Sequence, residues 1–243
     1  MTDGIGYALP MRLGGTKRIN RANNIADLRK LARRRLPRPI FDYIDGGADD
    51  EVTLGRNMSA FSGYEIVPDV LTDVSSIGTE TTLFGQTLAW PLMLAPTGLT
   101  RMFHEDAELA VARAAAKQGL LYSLSTLGTT RLEAISEAFS GPKVFQIYIF
   151  KDRGLTAEFV ARCKAAGFHG LALTVDTPVA GNRERDRVNG LSLPPRLTLK
   201  SMLSFAAHPL WSLPALMGSK FDFANVSHRG DALAAGPMSL FDY

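Results

Sequence analysis

The sequence predicts an α/β fold: a (β/α)8 barrel, of which this chain supplies N-terminal helices, a small β layer and about four βα units. Two observations carry this. Apolar, strand-like runs begin near Pro91, Leu120, Val144 and Leu171; each ends in small polar residues and leads into a helical stretch, and after the fourth the pattern stops. The start-to-start separations (91 to 120, 120 to 144, 144 to 171) are 29, 24 and 27 residues. That spacing suits βα units, and nearly continuous apolar strands suit a parallel sheet buried on both faces.

Each element has its own signal. Asn24 to Arg35 puts Ile25, Leu28 and Ala32 on one helical face, with Asn24 as N-cap and Pro37 as terminator. A second short helix is expected from Pro39, turning Ile40, Phe41 and Ile44 inward and ending at Gly46-Gly47. YEIVP and TETTLFGQTL between Tyr64 and Leu88 read as short strands with a turn at Gly85-Gln86, a β layer that can plug one end of a barrel. Strand PLMLAP then precedes a helix from about Glu105 to Gln118 with Gly119 as C-cap. LLYSLS leads into a capping box, Thr130 to Glu133, and a helix closed by Gly141-Pro142. KVFQIYIF precedes a helix around Thr156 to Ala166 with Phe159, Val160 and Cys163 on one face, and LALTVDTP is the fourth strand.

Composition bounds the function. The 243 residues are 46% hydrophobic and 21% charged, with a net charge of +3, which describes a folded protein with a sizeable core. The basic cluster Arg33-Arg34-Arg35 lacks interleaved aromatics, so no nucleic-acid partner is expected. The single cysteine, Cys163, excludes an intrachain disulfide and fits a reducing compartment, so the expected location is cytoplasmic. Residues 1–23 carry no secretory signal and are expected to be a flexible arm; residues 24–243 are expected to form one domain, incomplete at its C-terminus. The charged loop GNRERDRVNG, an apolar stretch broken by two prolines from Leu197 to Met217, and a polar, unpatterned tail contain no further βα unit.

In a barrel the chemistry sits at the C-terminal ends of the strands. There the sequence presents Pro96-Thr97-Gly98, Ser125-Thr126, Gln146 with Tyr148 by alternation, and Thr174. Small hydroxyl and amide groups at that face suit the edge of a flat heteroaromatic cofactor. They equally suit loops that merely satisfy their own polar groups.

Beyond these general signals, RLPRPIFDYIDGGADDE, MLAPTGL, FQIYIFKDR, LTVDTPVAGNRERD and LPPRLT resemble the FMN-dependent α-hydroxy acid dehydrogenase and oxidase family over roughly residues 25 to 230. Gly98 and the run HPLWSL resemble its bacterial L-lactate and mandelate dehydrogenase branch. The resemblance implies FMN as cofactor and no metal. Pro96, Thr97 and Gly98 would line the flavin, and Ser125, Gln146 and Thr174 would bond its ring. Tyr43, Tyr148 and Arg183 would form the substrate side, with Arg183 clamping a carboxylate and Tyr148 reaching the reacting hydroxyl. Leu127 stands where glycolate-preferring members resemble one another in carrying a bulky aromatic, which implies a larger substrate side chain.

The implied reaction is oxidation of a small L-2-hydroxy acid to the 2-oxo acid. Its base would be a histidine in a segment like S-N-H-G-x-R-Q, which is absent from this sequence. His104, His169, His208 and His228 do not match it, so the chain alone is expected to be inactive. The stretch 197–217 is too interrupted to span a membrane. In the branch it resembles, this region implies peripheral contact at the inner face of the cell membrane and a respiratory-chain acceptor, and the complete protein is expected to be a homo-oligomer. Two rival readings stay open: a non-catalytic half-barrel binding module, and an FMN barrel with a different reaction.

Overall fold

A computed structural model describes residues 19–150, 152–176, 181–191, 198–217 and 223–226. Of the arm expected over residues 1–23, residues 1–18 lie outside them.

Helix α1 (Ile25–Arg35) begins as its sequence dictates, with the Asn24 side chain accepting the Asp27 N–H at 2.9 Å. Its apolar stripe does not bury. Ile25 is 78% exposed, and it is Ala32 that packs against Leu36, Ile40 and Phe41. Arg29 instead fixes the helix by gripping Asp45 of α2 (Arg38–Asp45) at 2.5 and 2.8 Å. In α2, Ile40 and Phe41 are buried as expected, whereas Ile44 is exposed. Gly46 closes α2 because any Cβ there would come 2.7 Å from the Asp42 carbonyl. Helix α3 (Val52–Ser59) and a 3-10 turn (Ala60–Gly63) follow.

The β layer is smaller than its sequence pattern. YEIVP is exposed and forms no strand, since no described segment pairs with it. The remainder is a hairpin of β1 (Thr81–Leu83) and β2 (Gln86–Leu88), antiparallel in register Thr81 to Leu88. Its turn is Phe84-Gly85 rather than Gly85-Gln86, with φ of 52° and 71°. Two left-handed residues in a two-residue loop match the right-handed twist of the strands. Leu88 then buries against Leu121 and Val144, with Leu83 and Ala172 beside it, so the hairpin covers the N-terminal end of the main sheet.

That sheet is β3 (Met93–Leu94), β4 (Leu121–Ser125), β5 (Lys143–Ile147) and β6 (Gly170–Leu173), parallel and adjacent in chain order. Helices α4 (Ala107–Gln118), α5 (Leu132–Ala138) and α6 (Arg153–Ala165) connect them. Every residue of β4 and β5 is buried, as a parallel sheet covered on both faces requires. In β6 the pattern alternates, and Leu171 and Leu173 face out. Gly119, at φ 64°, ends α4 as expected: its N–H turns back to Ala116 and that of Leu120 to Ala115.

Two starts differ from the sequence reading. Helix α6 opens at Arg153 because Asp152 accepts from the N–H groups of Gly154 and Leu155; Leu155, Phe159 and Cys163 form its inner face, while Val160 is exposed. Helix α5 has no capping box. Thr130 donates its hydroxyl to Glu108 instead, and the Leu132 N–H goes to the Asn225 carboxamide at 2.8 Å. Residues 223–226, in a stretch without periodicity, therefore dock: Asn225 is fully buried, Val226 joins the main core, and Arg162 donates to the Asn225 carbonyl.

The charged loop also holds a helix, α7 (Glu184–Val188). The apolar stretch splits into α8 (Leu199–Ala206) and α9 (Pro209–Met217), with Pro214 inside the latter. Phe205 and Trp211 turn toward the Leu36–Ile40–Phe41 cluster, and the Trp211 indole donates to the Met102 carbonyl at 2.9 Å.

Burial pushes the Cys163 thiol up to about 12. The neutral thiol is the stable form at pH 8, so a disulfide-exchange reagent should label the native chain at least about 100-fold more slowly than the denatured chain. Time courses of labelling with and without denaturant measure that ratio.

Candidate functional site

The C-terminal ends of β4, β5 and β6 lie side by side because the register pairs Ser125 with Gln146 and Ile147 with Leu173. This sets Ser125, Gln146 and Thr174 in one hydrogen-bonded row. The Thr126 N–H, shared with the Gln146 carbonyl, reaches the Gln146 Oε1 at 3.2 Å. An N–H can only donate, so the amide oxygen faces β4, where it also accepts from the Ser125 hydroxyl at 3.0 Å. The amide nitrogen is thereby turned to Thr174, 2.5 Å away. Ser125 in turn accepts the Leu127 N–H. Ser125 and Gln146 are buried and Thr174 half-buried.

The loop after β3 carries Pro96, Thr97 and Gly98. A Cβ on Gly98 would stand 3.0 Å from that of Leu127, and the Leu99 N–H is given to the Leu127 carbonyl at 2.9 Å. Glycine at 98 therefore lets the loops of β3 and β4 close on each other. Tyr148 directly follows β5, half-buried, with its N–H toward the Thr126 hydroxyl.

A second cluster forms where α2 meets α7. Arg183 precedes α7 and places its guanidinium carbon 5.0 Å from the centre of the Tyr43 ring. Its Nε donates to Asp186 at 2.5 Å, and Nη2 donates to the Tyr43 carbonyl. Phe103 also stacks against the Tyr43 ring, at 6.3 Å and 21°. Burial raises the Tyr43 phenol above its ordinary value; Arg183 opposes this and Asp186 adds to it. Tyr43 is thus held as a neutral donor. Phe103 closes the loop that begins at Pro96, so one segment joins both clusters.

Asp186 and Phe103 escaped the sequence reading. Asp186, three residues from Arg183 in a helix, was findable by spacing; Phe103 was not, because its contact with Tyr43 is set by tertiary packing. Both lie in the charged and loop stretches that showed no periodicity. The histidines stand elsewhere. His169 accepts the Lys143 N–H at the N-terminal end of β5, His208 bonds the Ser204 carbonyl between α8 and α9, and His104 accepts from Asp106. His228 lies outside the described residues, as do Thr177 to Ala180.

The FMN-dependent dehydrogenase profile matches residues 32–236. The chain belongs to the FMN-dependent dehydrogenase family. It is 41% identical over 219 residues to an L-lactate dehydrogenase of Xanthomonas euvesicatoria pv. vesicatoria, covering 90% of this chain and 55% of the relative. It is 42% identical over 178 residues to glycolate oxidase 3 of Oryza sativa subsp. indica, covering 73% and 48%. Among solved structures, a monotopic membrane protein, (S)-mandelate dehydrogenase, superposes with a TM-score of 0.79 at 33% identity, covering 84% of this chain and 55% of the other. The chain spans about half the length of the curated relatives it matches. Membership accounts for a parallel sheet in barrel order, and the family's cofactor is FMN.

The family fold brings α1, α2 and α7 together through Asp45. Its carboxyl is held below the usual carboxylate range, chiefly by the Arg29 guanidinium and also by Arg185, against the effect of burial. Because the folded pKa is depressed, this stabilisation is present above the ordinary carboxylate value and is lost as pH falls through the depressed one. Asp45→Asn should cost about 1–2 kcal/mol at pH 7, and the deficit should narrow below about pH 4. Urea unfolding of both chains at pH 7 and pH 3 tests it; a constant deficit would contradict the assignment.

Proposed function

We propose that this chain binds the ring edge of FMN and the carboxylate of a small L-2-hydroxy acid, lactate- or mandelate-like, for oxidation to the 2-oxo acid. The Ser125–Gln146–Thr174 row supports this most directly. A flat ring with alternating heteroatoms needs hydroxyl and amide groups in a line and small residues close by; the row supplies the first, and Gly98, packed against Leu127 of the next loop, supplies the second. When bound, FMN supplies the two-electron acceptor.

The chain's own residues do the rest. Ser125, Gln146 and Thr174 hold the ring edge, and Pro96, Thr97 and Gly98 let backbone approach it. Arg183 takes the carboxylate in a charge-assisted fork, with Asp186 holding Nε so that the terminal nitrogens carry the clamp. Tyr43 donates to the carboxylate, and Tyr148 serves as the catalytic phenol at the reacting hydroxyl. Leu127 forms one wall beside the substrate side chain and leaves room for more than a glycolate. The base that removes the proton comes from outside the described residues, since His104 is engaged by Asp106, His169 lies at the N-terminal end of β5 and His208 between α8 and α9. Turnover therefore requires a base-bearing segment in addition to these residues.

Fluorescence titration with FMN tests the reading, with the chain alone and with the C-terminal half of the Xanthomonas relative supplied in trans. Gln146→Leu should raise the FMN Kd about tenfold, roughly one buried hydrogen bond. Arg183→Met should abolish loss of flavin absorbance on adding L-lactate or (S)-mandelate to the supplemented protein. Unchanged FMN affinity in the first variant, or unchanged bleaching in the second, would remove the proposal.

A second reading concerns α8 and α9. No described helix is long and apolar enough to cross a membrane. Yet Leu199, Met202, Leu203, Leu210, Leu213 and Leu216 are exposed on a helix pair whose other side is docked. The superposed mandelate dehydrogenase is described as monotopic. This face is proposed to rest on the inner surface of the cell membrane and to bring the site to a membrane-held electron acceptor. In flotation with phosphatidylcholine–phosphatidylglycerol vesicles, the double variant Leu203→Ser, Leu213→Ser should bind at least about fivefold less than the parent while melting alike. Equal flotation of both would end this reading.

A further inference from the structure

Glu108 is almost fully buried on the first turn of α4, and no arginine or lysine pairs with it among the described residues. Three donors converge on it instead. The Thr129 N–H reaches Oε1 at 2.7 Å, the Thr129 hydroxyl lies 3.0 and 2.8 Å from the two oxygens, and the Thr130 hydroxyl reaches Oε2 at 2.7 Å. A buried carboxylate is costly unless its lone pairs are filled, and all of these bonds come from one loop. That loop follows Ser125, the last residue of β4, and carries Leu127.

The contacts continue outward on both sides. The Thr129 hydroxyl accepts the Arg101 N–H at 3.2 Å, which joins it to the loop after β3 that carries Gly98. The Thr130 carbonyl accepts from the buried Asn225 amide at 3.1 Å, and the Gly128 carbonyl accepts the Ala224 N–H. None of these groups belongs to the flavin-edge row or the substrate cluster. They tie the two loops to each other and to the buried Asn225.

We infer that Glu108 is a positioning residue: through Thr129 it sets how closely the loops after β3 and β4 approach, and so holds Gly98 and Leu127 in place for the cofactor. This rests on the flavin reading above and extends it to a residue that touches neither cofactor nor substrate. The coupling runs through Thr129 because its hydroxyl donates to Glu108 while accepting from Arg101, which a valine cannot do. A purely local anchor would act on Thr129 and Thr130 alone. A hub acts also on the Leu99 N–H, which bonds the Leu127 carbonyl and touches neither threonine.

Amide hydrogen exchange on the flavin-free chain separates the two. Thr129→Val and Glu108→Gln should each speed exchange at Leu99 and Arg101 by about tenfold or more. Ser136→Ala, which removes a hydroxyl bonded to the Ala166 carbonyl on the far side of α5, should leave those amides unchanged. The same variants should raise the FMN Kd about tenfold and alter the visible circular dichroism of bound flavin, each measured below the lowered melting temperature that the loss of a buried hydrogen bond brings. Faster exchange confined to Thr129 and Thr130 overturns the inference, as does unchanged FMN affinity in a parent that binds. A parent chain that takes up no FMN overturns the flavin reading and leaves the loop coupling to be decided by exchange. Should Glu108→Gln not fold, Thr129→Val carries the same test.

Discussion

The Gln146 carboxamide is the group on which the strand-end face depends. A sheet of parallel strands fixes backbone spacing but leaves side chains at its rim free to turn. Gln146 removes that freedom because it accepts on one side and donates on the other, and the Thr126 N–H decides which side is which. Neither a hydroxyl nor a carboxylate could span β4 to β6 in one fixed sense. The row Ser125–Gln146–Thr174 is therefore oriented by backbone geometry before any ligand arrives, and preorganised groups of this kind cost nothing further when a ligand binds.

How much of this was legible in the sequence depends on the range of the interaction. The repeat of apolar runs ending in small polar residues is local, and it located all four strands, though β3 shrank to Met93–Leu94 where the run continues into loop. Caps built from neighbours, at Asn24 and Gly119, were equally readable. The errors share a cause. Local spacing marks Thr130 as a cap because Glu133 lies three residues on, yet Thr130 is drawn to Glu108 and Glu133 to Arg162, partners 22 and 29 residues away. Asn225 supplies the missing cap from 93 residues away. No local pattern encodes such a choice; it follows from which buried group most needs a partner.

Apolar faces show the same limit from the other side. Period alone marks Ile25, Ile44 and Val160 as inward, and each is exposed among the described residues. A stripe reports only that a face can bury, and what it meets is settled by the rest of the fold. The positions of the strand-end residues were more readable than their supports, because strand ends are fixed by the fold class, while Asp186 and Phe103 make their contacts in space.

In the cluster proposed to bind substrate, Arg183 is already engaged before any ligand arrives. Its guanidinium already satisfies two donors on Asp186 and the Tyr43 carbonyl and lies over the Tyr43 ring. A carboxylate arriving at this group does not meet a loose, solvated arginine whose rotamers must be frozen, a cost of up to about 2 kcal/mol for such a side chain. It meets one whose Nε is held, so only the Nη2 contact with a neutral carbonyl has to be exchanged. Replacing a carbonyl by a charged acceptor strengthens that bond, and the exchange favours the anion. Tyr43, kept neutral by burial and by the nearby Asp186, is at the same time a donor that can follow its own carbonyl's partner toward the ligand. Under the proposed reading, carboxylate recognition would therefore work through differential bonding at an arginine that is already held.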